Sequence, residues 1–567
     1  MLWRSNMFDF EKYGLRPVGA LPNERQLEWY KRERMVFFHF GMNTFTDKEW
    51  GDGTESPKDF NPTELDTRQW VRTVKDAGFT AAIITAKHHD GFCLWQTKYT
   101  EHSIKNSPYK NGKGDIVKEF TDACAEFGIK AGIYLSPWDR HESTWGKDEY
   151  NDFYVGQLTE LLTNYGKIWE CWWDGAGSTE AVYDWERWAD TVRRLQPDAV
   201  IFGSLGATPW VDVRWVGNEK GIAGKPCYAT IDPVSLEIET TSELNSGKLD
   251  GKRFIPAEVD VSIRPGWFYH STQDESVRSE ENLIDLWFTS VGSNAGFLLN
   301  LPPDRRGLIH ENDANSLIRF NKIITKALKA NLAKDAAVSA GSVRNGCKAE
   351  NILSENEGIF YSSSDGCVNP EITVSLKDNT EFNMLTLREV NEAGHRITDI
   401  EISTLVNGEW LTLERSKCVG NRLAVRFPSV VSDKIKIRVR SALGEPLIYG
   451  FGVHMLKIEE SVKKADTVSV NYAESPLCKI EMTDKEMDIN LGGVLPFNYV
   501  CLENTASQVC DLYVFNGSRF EKLLSKEKAD GKIEIKLDKK IDYAYRIKLT
   551  SDTSIGETAK LTVKMLK

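Results

Sequence analysis

From about residue 30 to residue 300, apolar runs of five to eight residues alternate with stretches of helical periodicity, the rhythm of a parallel α/β fold. Runs suited to buried strands fall at 35–40, 81–86, 130–135, 168–173, 200–203, 213–216, 253–257 and 297–299, the sixth being the weakest pattern. Eight such runs predict a (β/α)8-type barrel. Between the first two, Asp66 has the form of a helix N-cap with Gln69 as its partner three residues on, and Trp70, Val71 and Val74 repeat at helical spacing.

At 567 residues the chain is too long for a single core. Residues 317–332 read as a helix, and after Ala333 the pattern changes to short strands with polar turns. The runs 382–389, 399–403 and 434–439 alternate with period two, as strands burying one face do, and predict a β-sandwich. A lysine-rich connector at 461–465 leads to a further β-rich region in which 532–537 and 545–549 alternate likewise. The expected division is a catalytic barrel over 1–332, a sandwich over 333–460 and a β-rich C-terminal domain over 465–567.

With 83 acidic against 71 basic residues the formal charge is −12, which argues against nucleic acid or an anionic membrane surface as partner. A neutral substrate fits better, and 17 Trp, 18 Tyr and 25 Phe supply flat apolar surfaces for a sugar site as well as for cores. The ten cysteines, at 93, 124, 171, 227, 347, 367, 418, 478, 501 and 510, show no zinc spacing and read as buried thiols, Cys501 with Cys510 being one pair that could bridge. No run approaches a membrane span, and the first ten residues lack the basic-then-apolar order of a secretory signal. That predicts a cytoplasmic protein as the chain stands, and a periplasmic or secreted one if the native N-terminus differs. Oligomeric state is not legible.

The chemistry gathers where strands end. The run Ile168-Trp169-Glu170-Cys171-Trp172-Trp173 stops abruptly at Asp174-Gly175, which puts an acid at the C-terminal end of a barrel strand, where barrel enzymes collect catalytic residues. His39 ends the first strand, with Glu49 and Trp50 ten residues later; Lys87-His88-His89-Asp90-Gly91-Phe92 ends the second; Tyr134 and Trp138 end the third. Adjacent histidines could join Asp174 around a metal, but neutral imidazoles also pair well with sugar hydroxyls, and the sugar reading is preferred. Cleaving a glycosidic bond needs two carboxyl groups. Asp174 is the candidate nucleophile, and position alone divides the acid/base role evenly between Glu219 and Glu258.

These blocks resemble the α-L-fucosidases of glycoside hydrolase family 29 over roughly residues 15 to 330. The carriers are His39-Phe40-Gly41-Met42-Asn43-Thr44-Phe45 with Glu49-Trp50-Gly51, the His-His-Asp-Gly-Phe block, Tyr134-Leu135-Ser136, Trp172-Trp173-Asp174-Gly175 and Ser293-Asn294-Ala295-Gly296-Phe297-Leu298-Leu299-Asn300. The resemblance implies a retaining exo-α-L-fucosidase without cofactor or metal, with Asp174 as nucleophile. It also implies His39, Glu49, Trp50, His88, His89, Tyr134 and Trp267 as residues that hold fucose. The Arg214-Trp215-Val216-Gly217-Asn218-Glu219 and Ser136-Pro137-Trp138-Asp139-Arg140 blocks look like the subgroup acting on α-1,3- and α-1,4-fucosides of Lewis-type glycans. This selects Glu219 as acid/base, adds Arg214 to the substrate-binding set, and sets Trp138, Asp139 or Arg140 on the leaving-group side. A broad-specificity fucosidase and a non-catalytic glycan-binding protein are the alternatives. Leu387-Arg388-Glu389-Val390, Gly394-His395-Arg396-Ile397 and Gly408-Glu409-Trp410 resemble a discoidin-like, galactose-binding sandwich.

Overall fold

The computed structural model describes residues 8–176, 180–203, 206–232, 241–458, 473, 479–515, 520–556 and 558–564. Eight parallel strands close into a barrel in the order β1 (Arg34–Phe38), β2 (Ala81–Lys87), β3 (Lys130–Leu135), β4 (Glu170–Trp172), β5 (Val200–Gly203), β6 (Val213–Trp215), β9 (Ala257–Ser262) and β10 (Gly296–Asn300). Between β6 and β9 the chain makes a separate antiparallel ribbon of β7 (Thr230–Ile231) and β8 (Arg253–Phe254).

The seventh strand is therefore displaced from its expected place at 253–257. Arg253–Phe254 pairs with the ribbon, and the barrel strand starts at Ala257. Ala257–Ser262 escapes an apolar-run criterion because its alternate residues Glu258, Asp260 and Ser262 are polar, yet all six residues are buried. The fourth ladder covers only Glu170–Trp172, but Trp169 N–H donates to Ala131 O (2.7 Å) and Trp173 N–H to Phe202 O (3.1 Å), which extends the pairing at both ends.

Asp66 caps the helix Thr67–Asp76 by accepting from the backbone N–H groups of Arg68 and Gln69. The Gln69 side chain does not return to the cap. It pairs with both backbone groups of Ile309 instead, tying this helix to the loop ahead of the helix Glu311–Lys329, which starts and ends earlier than the expected 317–332.

The barrel is filled by inward side chains that include Met35, Phe37, Ile83, Tyr134, Trp172, Phe202, Val213 and Leu298. Trp172 lies flat on Phe202, with ring centroids 4.1 Å apart. Toward the end where the strands begin, two acids are sealed in: Glu170 and Glu258 are fully buried, and Trp172 Nε1 donates to Glu258 Oε1 (2.9 Å). Burial is the main cause that raises both pKa values, with the Glu258 charge adding to the effect on Glu170; Glu258 is pushed up to about 8.

A second, antiparallel sheet contains β11 (Ala337–Ala340), β12 (Tyr361–Ser362), β13 (Glu371–Glu389), β14 (Ile397–Val406), β15 (Glu409–Ser416), β16 (Leu423–Ala442) and β17 (Leu447–His454). β13 and β16 break register between Ser375 and Thr380 and between Phe382 and Met384, which lets these long strands bend around a core containing Ile372, Leu385, Ile400, Ile437 and Phe451. This sheet docks where the barrel strands begin. Glu33, just ahead of β1, accepts from Arg388 and from Arg422 Nε (3.0 Å). Asn294, ahead of β10, accepts from Asn421 N–H (2.7 Å) and donates to Cys227 O (2.8 Å).

A third sheet holds β18 (Lys479–Met482), β19 (Glu486–Glu503), β20 (Val509–Phe515), β21 (Phe520–Glu527), β22 (Lys532–Ser551) and β23 (Lys560–Lys564). The two alternating runs expected in this region are halves of one strand, β22. Cys501 and Cys510 are free thiols on β19 and β20, with β22 between them. Two strand spacings, about 9.6 Å, exceed the reach of a disulfide. The connector at 461–465 and the first seven residues lie outside the described residues. No helix among the described residues is long and apolar enough to cross a membrane.

The sealed acid pair makes stability depend on pH. Glu258 has a raised folded pKa, so its favourable contribution is complete below the unfolded value near 4.5 and is lost as pH rises toward about 8. Thermal melts of Glu258→Gln should therefore show a stability advantage over wild type that grows across that range and then levels off; a difference independent of pH would contradict the assignment.

Candidate active site

At the barrel end opposite the docked sheet a cavity of about 100 Å³ opens. It is lined by Phe37, His39, Glu49, Trp50, His88, His89, Trp172, Asp174, Ala176, Glu219, Asp260 and Trp267. Successive strand ends thus deliver His39 from β1, His88 and His89 from β2, Asp174 from β4 and Asp260 from β9.

Asp174 is held by two donors. Tyr134, near the end of β3, donates its phenol to Oδ2 (3.1 Å), and Ala176 N–H donates to Oδ1 (2.8 Å). Burial first, and the charge of Asp174 second, raise the Tyr134 pKa well above its usual value, so the phenol keeps its proton. His89 Nε2 lies 3.8 Å from Asp174 Oδ2.

The imidazoles are oriented from behind. Asn300 Oδ1 accepts from the backbone N–H of His39 (3.1 Å) and from its Nδ1 (2.9 Å), which assigns the proton to Nδ1 and leaves Nε2 as an acceptor. Ser136 spends its one proton on Trp138 O (2.6 Å), so its oxygen accepts from His89 Nδ1 (2.8 Å), and His89 Nε2 is also an acceptor. His88 is the reverse: Asn43 Nδ2 donates to its Nδ1 (3.4 Å), which places the proton on Nε2. Burial lowers all three pKa values, to about 3 for His39 and well below the usual value for His88, and keeps the rings neutral.

One loop joins the two far walls. Glu49 accepts from the backbone N–H of Trp267 (2.7 Å) and of Phe268 (3.2 Å), while Trp267 Nε1 donates to Glu219 Oε2 (3.3 Å). Trp50 is 57% exposed at the mouth and meets Trp138 edge-on, with centroids 5.7 Å apart. Trp138 packs on His89 behind this rim (5.0 Å), and the Arg140 guanidinium lies over its ring.

Of the expected site residues, Tyr134 and Trp138 stand against Asp174 and His89 without lining the cavity, and Arg214 and Asp139 lie elsewhere. Arg214 is fully buried and donates to the carbonyls of Leu244, Tyr228 and Ile255. Strand alternation explains this, because Val213 and Trp215 face the barrel interior and the residue between them must face out. Asp139 is also buried, in an ion pair with Lys87 (2.8 Å). Gly91 of the His-His-Asp-Gly-Phe block sits at φ +79°, and a Cβ there would come within 2.4 Å of Asp139 Oδ1, so this turn needs glycine. Glu258 is sealed beneath Trp172 and does not reach the cavity, whereas Glu219 lines it. Phe37, Trp172, Ala176 and Asp260 line the cavity without having been expected there; the signal for Asp260 is the inward polar alternation of β9. Among the described residues no group of three His, Cys, Asp or Glu is placed to hold a metal ion.

A closed parallel barrel whose strand ends surround one cavity with carboxyl groups, neutral imidazoles and indoles has the architecture and donor set of a glycoside hydrolase. Residues 13–326 match the family model for alpha-L-fucosidase. The chain is 41% identical over 467 residues to alpha-L-fucosidase 1 of Arabidopsis thaliana, covering 80% of this chain and 91% of that protein. A solved Bacteroides thetaiotaomicron structure described as a candidate alpha-L-fucosidase is 46% identical with a TM-score of 0.76, over 78% of this chain and 99% of that one. A glycoside hydrolase family 29 fucosidase of Ruminococcus gnavus, solved in complex with fucose, is 32% identical with a TM-score of 0.72, over 78% and 96%. The chain belongs to the alpha-L-fucosidases of glycoside hydrolase family 29.

The Glu49 wall carries a pH-dependent brace. His270 bridges Asp47 (2.8 Å) and Glu49 (2.7 Å); burial opposes its charge, but the hydrogen bonds and charges of the two acids together outweigh burial and raise its pKa above 6.5. The brace should be fully present below pH 6.5 and lost as pH rises through the raised folded value. Melting temperatures of wild type and His270→Gln should accordingly differ most in acid and converge in alkali, and a gap that widens with pH would refute the brace.

Proposed function

We propose that the protein is a retaining exo-α-L-fucosidase that removes α-1,3- and α-1,4-linked fucose from branched, Lewis-type glycans by double displacement. The observation that carries this reading is the pair of carboxyl groups lining one cavity: Asp174, fixed by Tyr134 and Ala176, and Glu219, fixed by the Trp267 indole. In the first step an Asp174 oxygen attacks the anomeric carbon while Glu219 passes a proton to the departing glycosidic oxygen. In the second, Glu219 takes a proton from water, the water oxygen attacks the same carbon, and the bond to Asp174 breaks. The retaining geometry requires the two carboxyl groups to stand about 5 to 5.5 Å apart.

The pocket chemistry suits the sugar. The free Nε2 lone pairs of His39 and His89 accept from hydroxyls, the Nε2–H of His88 donates, and Phe37, Trp172 and Trp267 supply apolar walls for the C5 methyl group. Trp172 closes the floor over the sealed acids, so the cavity takes a terminal unit. The fucose bound by the Ruminococcus gnavus relative supports this reading. The linkage preference rests on the blocks around Glu219 and Trp138; the exposed Trp50 with Trp138 and Arg140 beside it forms the rim that a branched leaving group would meet.

Asp174→Ala should lower turnover by at least about 10³-fold. Glu219→Ala should lose about 10²- to 10⁴-fold on natural glycosides and recover part of its turnover on an activated aryl fucoside when azide is added, releasing fucosyl azide. Near-normal activity in either variant would overturn the assignment. On a substrate panel, Lewis trisaccharides should be cleaved with higher kcat/KM than α-1,2-linked or simple aryl fucosides, and the opposite order would move the protein to broad specificity.

A further inference from the structure

The inward face of β9 carries three polar side chains in succession. Glu258 is sealed below Trp172, and Ser262 accepts from Asn300 Nδ2 (2.9 Å) at the top of the strand. Asp260 stands between them, only 4% exposed, and lines the same cavity as Asp174 and Glu219. Trp215 of the adjacent β6 donates its indole N–H to Asp260 Oδ1 (2.8 Å), which fixes the orientation of the carboxyl. A position that served packing alone would be filled at lower cost by an apolar residue, as Phe202 and Leu298 are on other strands.

We infer that Asp260 is a substrate-contacting residue, hydrogen-bonding a hydroxyl of the fucosyl unit from the floor of the cavity. The inference rests on the fucosidase reading and adds to it a further carboxyl group besides the nucleophile, the acid/base and Glu49. Its form follows from the groups around it: the charges of Glu219 and Glu258 act on it, Glu49, His39, His88, His89 and Asp174 line the same cavity, and the neighbouring β10 carries uncharged Leu298 and Asn300. Burial chiefly, and the charge of Glu219 next, raise the Asp260 pKa well above its usual value, with the Trp215 hydrogen bond pulling the other way. The shift favours the neutral carboxyl, whose O–H is a donor that complements the acceptor nitrogens of His39 and His89.

The test uses the full-length protein and two readouts, L-fucose binding by calorimetry at about pH 6 and the pH profile of kcat/KM on an activated aryl fucoside. That leaving group needs no acid assistance, so Glu219 does not set the alkaline limb. Asp260→Asn keeps an acceptor for Trp215 and a donor for the sugar but cannot ionise. It should bind fucose within about threefold of wild type and lose the alkaline limb, whereas Asp260→Ala should bind about tenfold more weakly or worse. Melting temperatures identify a variant that fails to fold; if Ala does, the Asn profile decides. An Asn variant with an unaltered alkaline limb, or a folded Ala variant that binds fucose like wild type, would overturn the inference. Wild type that neither binds fucose nor hydrolyses any fucoside, Lewis trisaccharides included, would overturn the fucosidase reading itself, and Asp260 with it.

Discussion

A single amide at the seam of the barrel holds the site together. Asn300 ends β10, the strand that closes the ring between β1 and β9, and its side chain bonds to the residue after β1, to β9 and to the loop beyond β9. Oδ1 accepts from His39 after β1; Nδ2 donates to Ser262 on β9 and to Trp267 O (2.7 Å) in the loop beyond. This fixes the His39 tautomer and pins the loop whose Trp267 then reaches Glu49 through its backbone and Glu219 through its indole. Barrel closure and placement of the far carboxyl are thus one hydrogen-bonded unit, and an Asp or Leu at 300 would lose a donor or both halves of it.

The electrostatics divide by depth. Below the Trp172 floor, Glu170 and Glu258 are shut away from water and held neutral. In the cavity the three imidazoles are neutral because burial removes their solvation, so they work as oriented donors and acceptors without charge. Asp174 is 28% exposed and receives two donors, surroundings in which a carboxylate is tolerated. A buried ion pair behind the cavity, Lys87 with Asp139, holds the loop that carries His88 and His89. The sandwich-like sheet meets the barrel at the opposite end, through Glu33 and Asn294, and braces the strand starts.

What the sequence revealed follows from how local each signal is. His39, His88, His89, Tyr134 and Asp174 were legible because each directly follows or ends an apolar run, and a strand end in a parallel barrel has only one functional side. β9 was misplaced because its inward residues are acids, which resemble a surface strand until the ring is closed around them. Arg214 lies outside the cavity for a reason of parity: motif proximity to Glu219 could not say which face of a three-residue strand it occupies. The choice between Glu219 and Glu258 depended on strand registration, since a shift of a few residues moves Glu258 from a loop into the sealed interior. The roles of Asn300, Ser136 and Asn43 are set by contacts across the fold that no run of neighbouring residues records.

The most direct test of the account is to trap the glycosyl-enzyme. A 2-deoxy-2-fluoro-fucosyl fluoride forms the covalent bond readily and hydrolyses slowly, so intact-protein mass spectrometry and peptide mapping can locate it. The account predicts one fluorofucosyl unit per chain, attached to the peptide that contains Trp173-Asp174-Gly175 and absent in Asp174→Ala. Labelling at another residue, or turnover of ordinary fucosides without any trappable adduct, would contradict it.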